Sequence, residues 1–324
     1  MVAGARTLAQ LSEGELLAEI FPFFPGGRAL VVGPGDDAAV LATGAATVAT
    51  TDSMVRGRDW LDAWSGPADV AAKVLTQNLA DVAAMGAVPT SVLVSLVVDP
   101  QTPAAWAIDL ARSLGERAAD VGVVVAGGDL SSAPPGVVVV SLTAHGDLQG
   151  RAPVLRSGAR PGDVLAVCGT LGRSAAGLAL LEGGTDPRTE PRGIRAQCLA
   201  HHLRPTAPLT AGPQAATSGA TSMIDLSDGL LVDGHRVAAA SGVRLALSPA
   251  ALHEDLAAVQ QAVGDSALEC VLAGGEEHSL LATFAGDVPD GWRAIGVVEA
   301  GQGVTLDGVP QQPRGWDHFR RDEG

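Results

Sequence analysis

Lysine is almost missing from this 324-residue chain, Lys73 being the only one. No Gly-x-x-x-x-Gly-Lys stretch surrounds it, which excludes a P-loop phosphate site. Cations of either kind are scarce, 21 Lys+Arg against 36 Asp+Glu, for a formal net charge of −15. The basic footprint with which proteins neutralise nucleic-acid phosphates is therefore absent. The three cysteines, Cys168, Cys198 and Cys270, follow neither a zinc spacing nor a disulfide framework and read as core residues in a reducing compartment. Long apolar runs are missing too. The longest, near Val121–Ala126 and Val137–Val140, fall far short of a membrane span, and Met1–Glu13 has no signal-peptide apolar core. These absences describe a soluble, cytoplasmic protein that binds neither nucleic acid nor membrane.

The chain is otherwise rich in what builds a core. Hydrophobic residues make up 47% and charged residues 18%, a globular composition, and the length suits two domains. Val-rich runs at Ala29–Val32, Thr47–Thr51, Ser91–Val98, Gly122–Ala126 and Val137–Ala144 read as strands. Between them, Gly66–Met85 reads as a helix, with Pro67 suited to its first position, Val70, Val74, Asn78, Asp81 and Met85 on one face, and Gly86 as its stop. A second helix is expected over Pro103–Asp120. Asp147–Arg151 and the turn-rich Arg156–Asp163 mark a border, which divides the chain into domains 1–148 and 149–324. After it come a strand at Val164–Cys168, a helix at Ser174–Leu181, a surface loop at Thr185–Arg192 and a further helix-strand series.

Aspartates recur beside glycine where strands are expected to stop: Gly33-Pro-Gly-Asp-Asp37, Thr50-Thr-Asp52, Gly127-Gly-Asp129 and Ile224-Asp-Leu-Ser-Asp-Gly229. Carboxylates gathered together raise one another's pKa unless a cation neutralises them. Magnesium takes oxygen ligands from one or two carboxylates together with substrate phosphates, so this pattern fits a nucleotide held through metal. Each piece also has a plainer reading. Gly33–Asp37 could be an ordinary turn, and Asp225 or Ser227 could simply cap the helix that runs to Ser241 and stops at Gly242. Alternation puts Thr50 and Asp52 on one face of their strand and Thr51 on the other. Asp81 is the more telling acid, because it shares an apolar helical stripe, where a carboxylate is costly unless paired or metal-bound.

Gly33-Pro-Gly35-Asp-Asp-Ala38 imitates a dinucleotide-binding turn, but two carboxylates would then face the pyrophosphate. That argues against a nicotinamide oxidoreductase. Gly274-Gly-Glu-Glu-His278 allows close backbone approach, with Glu276 facing a ligand or lying in an exposed acidic turn. His201 and His202 are adjacent and diverge on a helix, which does not suit a metal pair. Trp316, in Gly315-Trp-Asp-His-Phe319, could anchor a core or offer a flat face to a ligand.

Taken in order, Gly35-Asp-Asp37, Thr51-Asp52, Gln77–Gly86, Gly127-Gly-Asp129, Leu155–Asp163, Ile224–Gly229 and Gly274-Gly-Glu276 closely resemble the thiamine-monophosphate kinases, a family of the superfamily that includes aminoimidazole ribonucleotide synthetase. The resemblance implies a two-domain α/β (α+β) fold. Its N-terminal sheet would form a barrel across a homodimer, and a C-terminal α/β domain would complete a cleft for ATP. By matching positions, Asp37, Thr50, Thr51, Asp52, Asp81, Asp129, Asp225 and Asp228 would serve several Mg2+ ions. Gly128, Asp129, Arg156 and Ser227 would contact ATP, while Asp59, Glu276 and Trp316 would stand at the thiamine monophosphate. The implied reaction is γ-phosphoryl transfer from ATP to thiamine monophosphate.

The chemistry of the residues agrees with this. An acceptor phosphate is already an anionic nucleophile, so metals that hold two phosphates in line suffice and no catalytic base is required. A thiazolium cation suits an acidic protein and an indole face. Two positions depart from the family pattern. Gly57-Arg-Asp59-Trp60 stands where the family usually shows Gly-x-His-Phe, so either Arg56 or Arg58 takes over from the histidine or substrate handling has changed. Glu277 replaces an aspartate, keeping the charge. The alternatives are another ATP-dependent enzyme of the superfamily, or a nucleotide-binding protein whose catalysis Asp59 impairs. Selenophosphate synthetase fits poorly, since no cysteine precedes Cys168.

Overall fold

A computed structural model describes residues 6–34, 38–189 and 192–316. It divides into two compact units, residues 1–82 with 88–150, and residues 83–87 with 151–324. No helix among the described residues is long and apolar enough to cross a membrane.

The first unit contains, in chain order, α1 (Glu13–Ile20), β1 (Leu30–Val32), β2 (Val40–Leu41), β3 (Thr47–Val55), α2 (Pro67–Ala84, whose last two residues count with the second unit), β4 (Val88–Val98), α3 (Ala104–Asp120), β5 (Val124–Ser132) and β6 (Val138–Asp147). Four strands form one sheet in the order β3-β6-β4-β5. β6 pairs antiparallel with β3 and β4, and β4 pairs parallel with β5 across the α3 crossover. On one face, Met54, Leu142, Val140, Leu96 and Val92 are buried. On the other, Thr51, Ser53 and Asp129 are exposed, and the hydroxyls of Ser53 and Ser141 lie 2.6 Å apart.

Two strands run further than the sequence pattern predicts. β3 continues through Asp52 to Val55, and β5 continues through Gly127-Gly128-Asp129 to Ser132. Asp52 and Asp129 are thus mid-strand residues rather than strand ends. The cross-strand ladder supplies the reason: Asp52 lies opposite Leu142, and Asp129 opposite Ser95. Hydrogen bonding to a neighbouring strand outweighs the weak strand propensity of Gly and Asp. Gly128 is needed there, because a Cβ would overlap the carbonyl oxygen of Val94 on β4.

The second unit holds β7 (Val164–Cys168), α4 (Arg173–Glu182), α5 (Gly193–Leu203), α6 (Ala211–Thr217), β8 (Ala220–Asp225), α7 (Leu230–Ser241), β9 (Arg244–Leu247), α8 (His253–Val263), α9 (Ala267–Ala273), β10 (Leu280–Phe284), β11 (Arg293–Glu299), β12 (Gly303–Leu306) and β13 (Val309–Gln311). Its seven-stranded sheet runs β13-β12-β9-β11-β7-β10-β8. Every residue of β10 is buried, as expected of an inner strand covered on both faces. Phe284 meets Trp292 edge to face at 5.4 Å between ring centres, in a core shared with Ala166, Met223, Leu280 and Ala282. α7 ends at Gly242, which takes φ +67 as its C-cap. Its N-cap, however, is Gly229 rather than Asp225 or Ser227. The cap work falls to Asp233, whose Oδ2 accepts from the N–H groups of Asp228 and Gly229 at 3.0 and 3.1 Å.

Candidate active site

In the first unit, α2 brings Asp81 to β3. Thr50 Oγ1 donates to Asp81 Oδ2 at 2.7 Å, which accounts for a carboxylate inside an otherwise apolar helical stripe. Thr50 and Asp52 share the partly covered face of β3, and Thr51 lies on the exposed one, as alternation requires. Thr51 donates to the Leu142 carbonyl and accepts from Thr143, both at 3.1 Å. Asp129 accepts from Ser131 Oγ at 3.0 Å. It stands on the edge strand β5, in the cross-strand row Ser53–Ser141–Ser95–Asp129. The ladder therefore puts Asp52 and Asp129 on opposite faces and opposite edges of this sheet. Asp37 lies outside the described residues.

Asp59 belongs to the turn after β3. Its carboxylate accepts from the Val55 N–H at 2.6 Å, and its own N–H donates to the Val55 carbonyl at 2.9 Å. Arg56 pairs with Asp62, and Trp60 is buried beside Trp106, with ring centres 6.3 Å apart.

The second unit gathers more of the expected residues. Asp225 ends β8 beside the loop Leu226–Gly229, which is laced to Gly275–Ser279. Glu276 N–H donates to Ser227 O at 2.7 Å, His278 N–H to Leu226 O at 2.8 Å, and Leu226 N–H to Ser279 O at 2.8 Å. Trp316 N–H donates to Asp228 O at 3.0 Å. Asp225, Ser227, Asp228, Glu276 and Trp316 thus share one small region. Arg156 is tied elsewhere: it is exposed, and its carbonyl accepts from Ser241 Oγ, in the last turn of α7, at 2.8 Å.

The electrostatics of this region are unbalanced. Asp225 is 3% exposed and its Oδ2 accepts no hydrogen bond; the nearest base, His278 Nδ1, stands 3.7 Å away. Asp233 is fully buried, and burial first, then the nearby charge of Asp225, pushes its carboxyl up to about 7 against the pull of Arg236. Arg236 pairs with Asp228 and Asp233, at 2.6 Å each. Asp225 Oδ2, buried and without a hydrogen bond, is the kind of oxygen a hard divalent cation takes. No group of three or more His, Cys, Asp or Glu side chains is placed to hold a metal among the described residues, so phosphate oxygens and water have to complete any such shell.

Sequence reasoning missed Asp233 and Arg236, which read as ordinary surface-helix residues until α7 is folded against the loop. It also set aside His201 and His202, which approach Glu277 and Glu276. Cys198 and Cys270 are buried, as expected, while Cys168 is half-buried.

The fold is that of a two-domain α/β protein with carboxylates on strands of its first unit and a buried carboxylate cluster in its second. Residues 35–148 match the AIR synthase related protein N-terminal domain, and residues 160–309 the corresponding C-terminal domain. A thiamine-monophosphate kinase from Mycobacterium tuberculosis is 44% identical over 319 residues, spanning 97% of this chain and 93% of that protein. The chain is similar to the crystal structure of thiamine-monophosphate kinase from Stenotrophomonas maltophilia, with a TM-score of 0.79, 29% identity, and coverage of 92% of this chain and 96% of that one. It is also similar to AaThiL complexed with AMPPCP and TMP, with a TM-score of 0.76, 30% identity, and coverage of 84% and 87%. The chain belongs to the thiamine-monophosphate kinase family of AIR synthase related proteins.

Proposed function

We propose that this protein transfers the γ-phosphoryl group of ATP to the phosphate of thiamine monophosphate, forming thiamine diphosphate and ADP. The observation that carries the reading is the Asp225–Asp228–Asp233 group, with a buried carboxylate oxygen that accepts no hydrogen bond beside a carboxyl raised to about 7. Such a group is costly in the free protein and is relieved by a cation. Thr50, Thr51, Asp52, Asp81, Asp129, Asp225 and Asp228 are the assigned magnesium ligands, with Asp37 by family position. Bound there, Mg2+ supplies charge neutralisation on the transferred phosphoryl group.

Gly128, Asp129, Arg156 and Ser227 are assigned to the nucleotide. Gly128 offers backbone without a side chain, and Ser227 a hydroxyl next to the acids. No residue has to act as general base, because the attacking phosphate oxygen carries no proton that must first be removed. Glu276 and Trp316 are assigned to thiamine monophosphate. The carboxylate and the half-exposed indole face both suit the thiazolium cation. Asp59 stands in the substrate position by resemblance, and its bond to Val55 N–H supports a turn-forming role as well. The family relationship supports a homodimer of the 32.5 kDa chain and cytoplasmic work.

Incubation with ATP, Mg2+ and thiamine monophosphate, followed by chromatography, is expected to yield thiamine diphosphate in step with ADP. If ATP and Mg2+ bind but no thiamine diphosphate forms, the assignment fails, and impaired catalysis at Asp59 becomes the better reading.

A further inference from the structure

Two adjacent histidines meet two adjacent glutamates in the second unit. His201 and His202 occupy the last turn of α5. His201 Nε2 lies 3.4 Å from Glu277 Oε1 and 3.2 Å from the Glu277 carbonyl oxygen. Glu277 also accepts from the Thr170 hydroxyl and, at 3.0 Å, from the Ser174 N–H in the first turn of α4. It is 1% exposed and fixed from several sides, as a buried carboxylate has to be.

Glu276 differs. Its side chain is 39% exposed, and its backbone takes φ +57, in the left-handed region that non-glycine residues seldom occupy. A long carboxylate side chain there has rotamer freedom to lose before it can meet a ligand in one pose. His202 reaches it: Nδ1 stands 3.3 Å from Glu276 Oε2 and 3.2 Å from Ser174 Oγ, and the imidazole is 8% exposed. The ring is held in turn by its helix. Gly177 of α4 lets α5 approach closely enough that a Cβ would overlap the Cys198 carbonyl and crowd His202 Cβ, 2.7 Å away. Nδ1 faces both the Glu276 carboxylate and the Ser174 hydroxyl from a packed position, so the Nδ1–H tautomer has the Glu276 oxygen within donating reach.

We infer that His202 is a positioning residue for substrate recognition: it orients the Glu276 carboxylate toward the cationic ring of the acceptor and takes no part in nucleotide binding. The inference deepens the proposed function and rests on Glu276 being a substrate residue. Partners that orient a ligand-binding side chain typically matter by 10–100-fold.

The test compares His202→Asn with His202→Gln in the full-length protein. Asparagine places an N–H close to where Nδ1 stands, while glutamine places one near Nε2. His202→Gln is expected to raise KM for thiamine monophosphate about tenfold, leaving KM for ATP within about twofold, and His202→Asn to restore most of the loss. Equal rises in KM for thiamine monophosphate in the two variants would make His202 a packing residue and overturn the inference; so would an unchanged KM in His202→Gln. Glu276→Gln separates the two readings. If it leaves KM for thiamine monophosphate unchanged while turnover persists, Glu276 is not a substrate residue and its assignment falls. If it raises that KM while His202→Gln does not, only the role of His202 falls.

Discussion

Replacing Arg236 by methionine isolates the charge imbalance around α7. Arg236 holds Asp228 and Asp233 with one contact of 2.6 Å to each, and Asp233 is fully buried. Removing one partner of a buried ion pair costs about 3–5 kcal/mol. Arg236 is 41% exposed, and Asp233 can escape by taking a proton, so about 3 kcal/mol is the expected loss at alkaline pH. The pH dependence has a definite sign. The Asp233 carboxyl is raised in the folded state from 3.8 to about 7, so its folded form favours the neutral acid. Its contribution to stability is full below pH 4 and fades as pH rises through 7, over a span worth about 4 kcal/mol. Arg236 opposes that rise, so the variant is penalised where Asp233 would otherwise ionise. Urea unfolding in a chelating buffer is expected to show a deficit of about 3 kcal/mol at pH 8 and about 2 kcal/mol at pH 5.5, because a carboxyl at about 7 can add only about 1.4 kcal/mol of ionisation penalty by pH 8. A deficit of the same size at both pH values, or none, would refute the reasoning.

Further outcomes follow from the same geometry. Gly128→Ala forces a methyl group into the Val94 carbonyl; a loss of about 1–3 kcal/mol and a raised KM for ATP are expected, and unchanged melting with unchanged KM would show that the strand has room. Asp59→Ala strips the acceptor from Val55 N–H and is expected to cost about 1 kcal/mol and to change KM for thiamine monophosphate, in keeping with its position by resemblance; a melting loss with KM unchanged would leave Asp59 a turn residue alone. Cys198, pushed up to about 11 by burial, and Cys270, raised by the same cause, are expected to resist alkylation at pH 8 in the native protein and to react in urea. Rapid native labelling of Cys198 would contradict its burial.

Much of this was legible in the sequence because the same physics acts locally. The stripe Val70, Val74, Asn78, Asp81 has helical period and became α2; the Val-rich run at Val164–Cys168 became β7 with the same limits. Gly242 stopped α7 because a left-handed residue was needed there. What was not legible depends on partners distant in sequence. Gly127-Gly-Asp129 looks like a turn until β4 supplies a ladder to pair with. Asp233 looks like a solvated helical acid until the Asp228–Gly229 N–H groups and Arg236 close around it. The two histidines gave no spacing signal, since their partners are two carboxylates rather than one metal, and those carboxylates lie about 75 residues on, in the segment between α9 and β10.

Crystals grown with Mg2+, a non-hydrolysable ATP analogue and thiamine monophosphate test the central claim most directly. Metal density is expected on the Asp81 and Asp225 carboxylates, each in its own unit, and the thiazolium near Glu276 and Trp316. Bound nucleotide with those carboxylates bare of metal would contradict the claim.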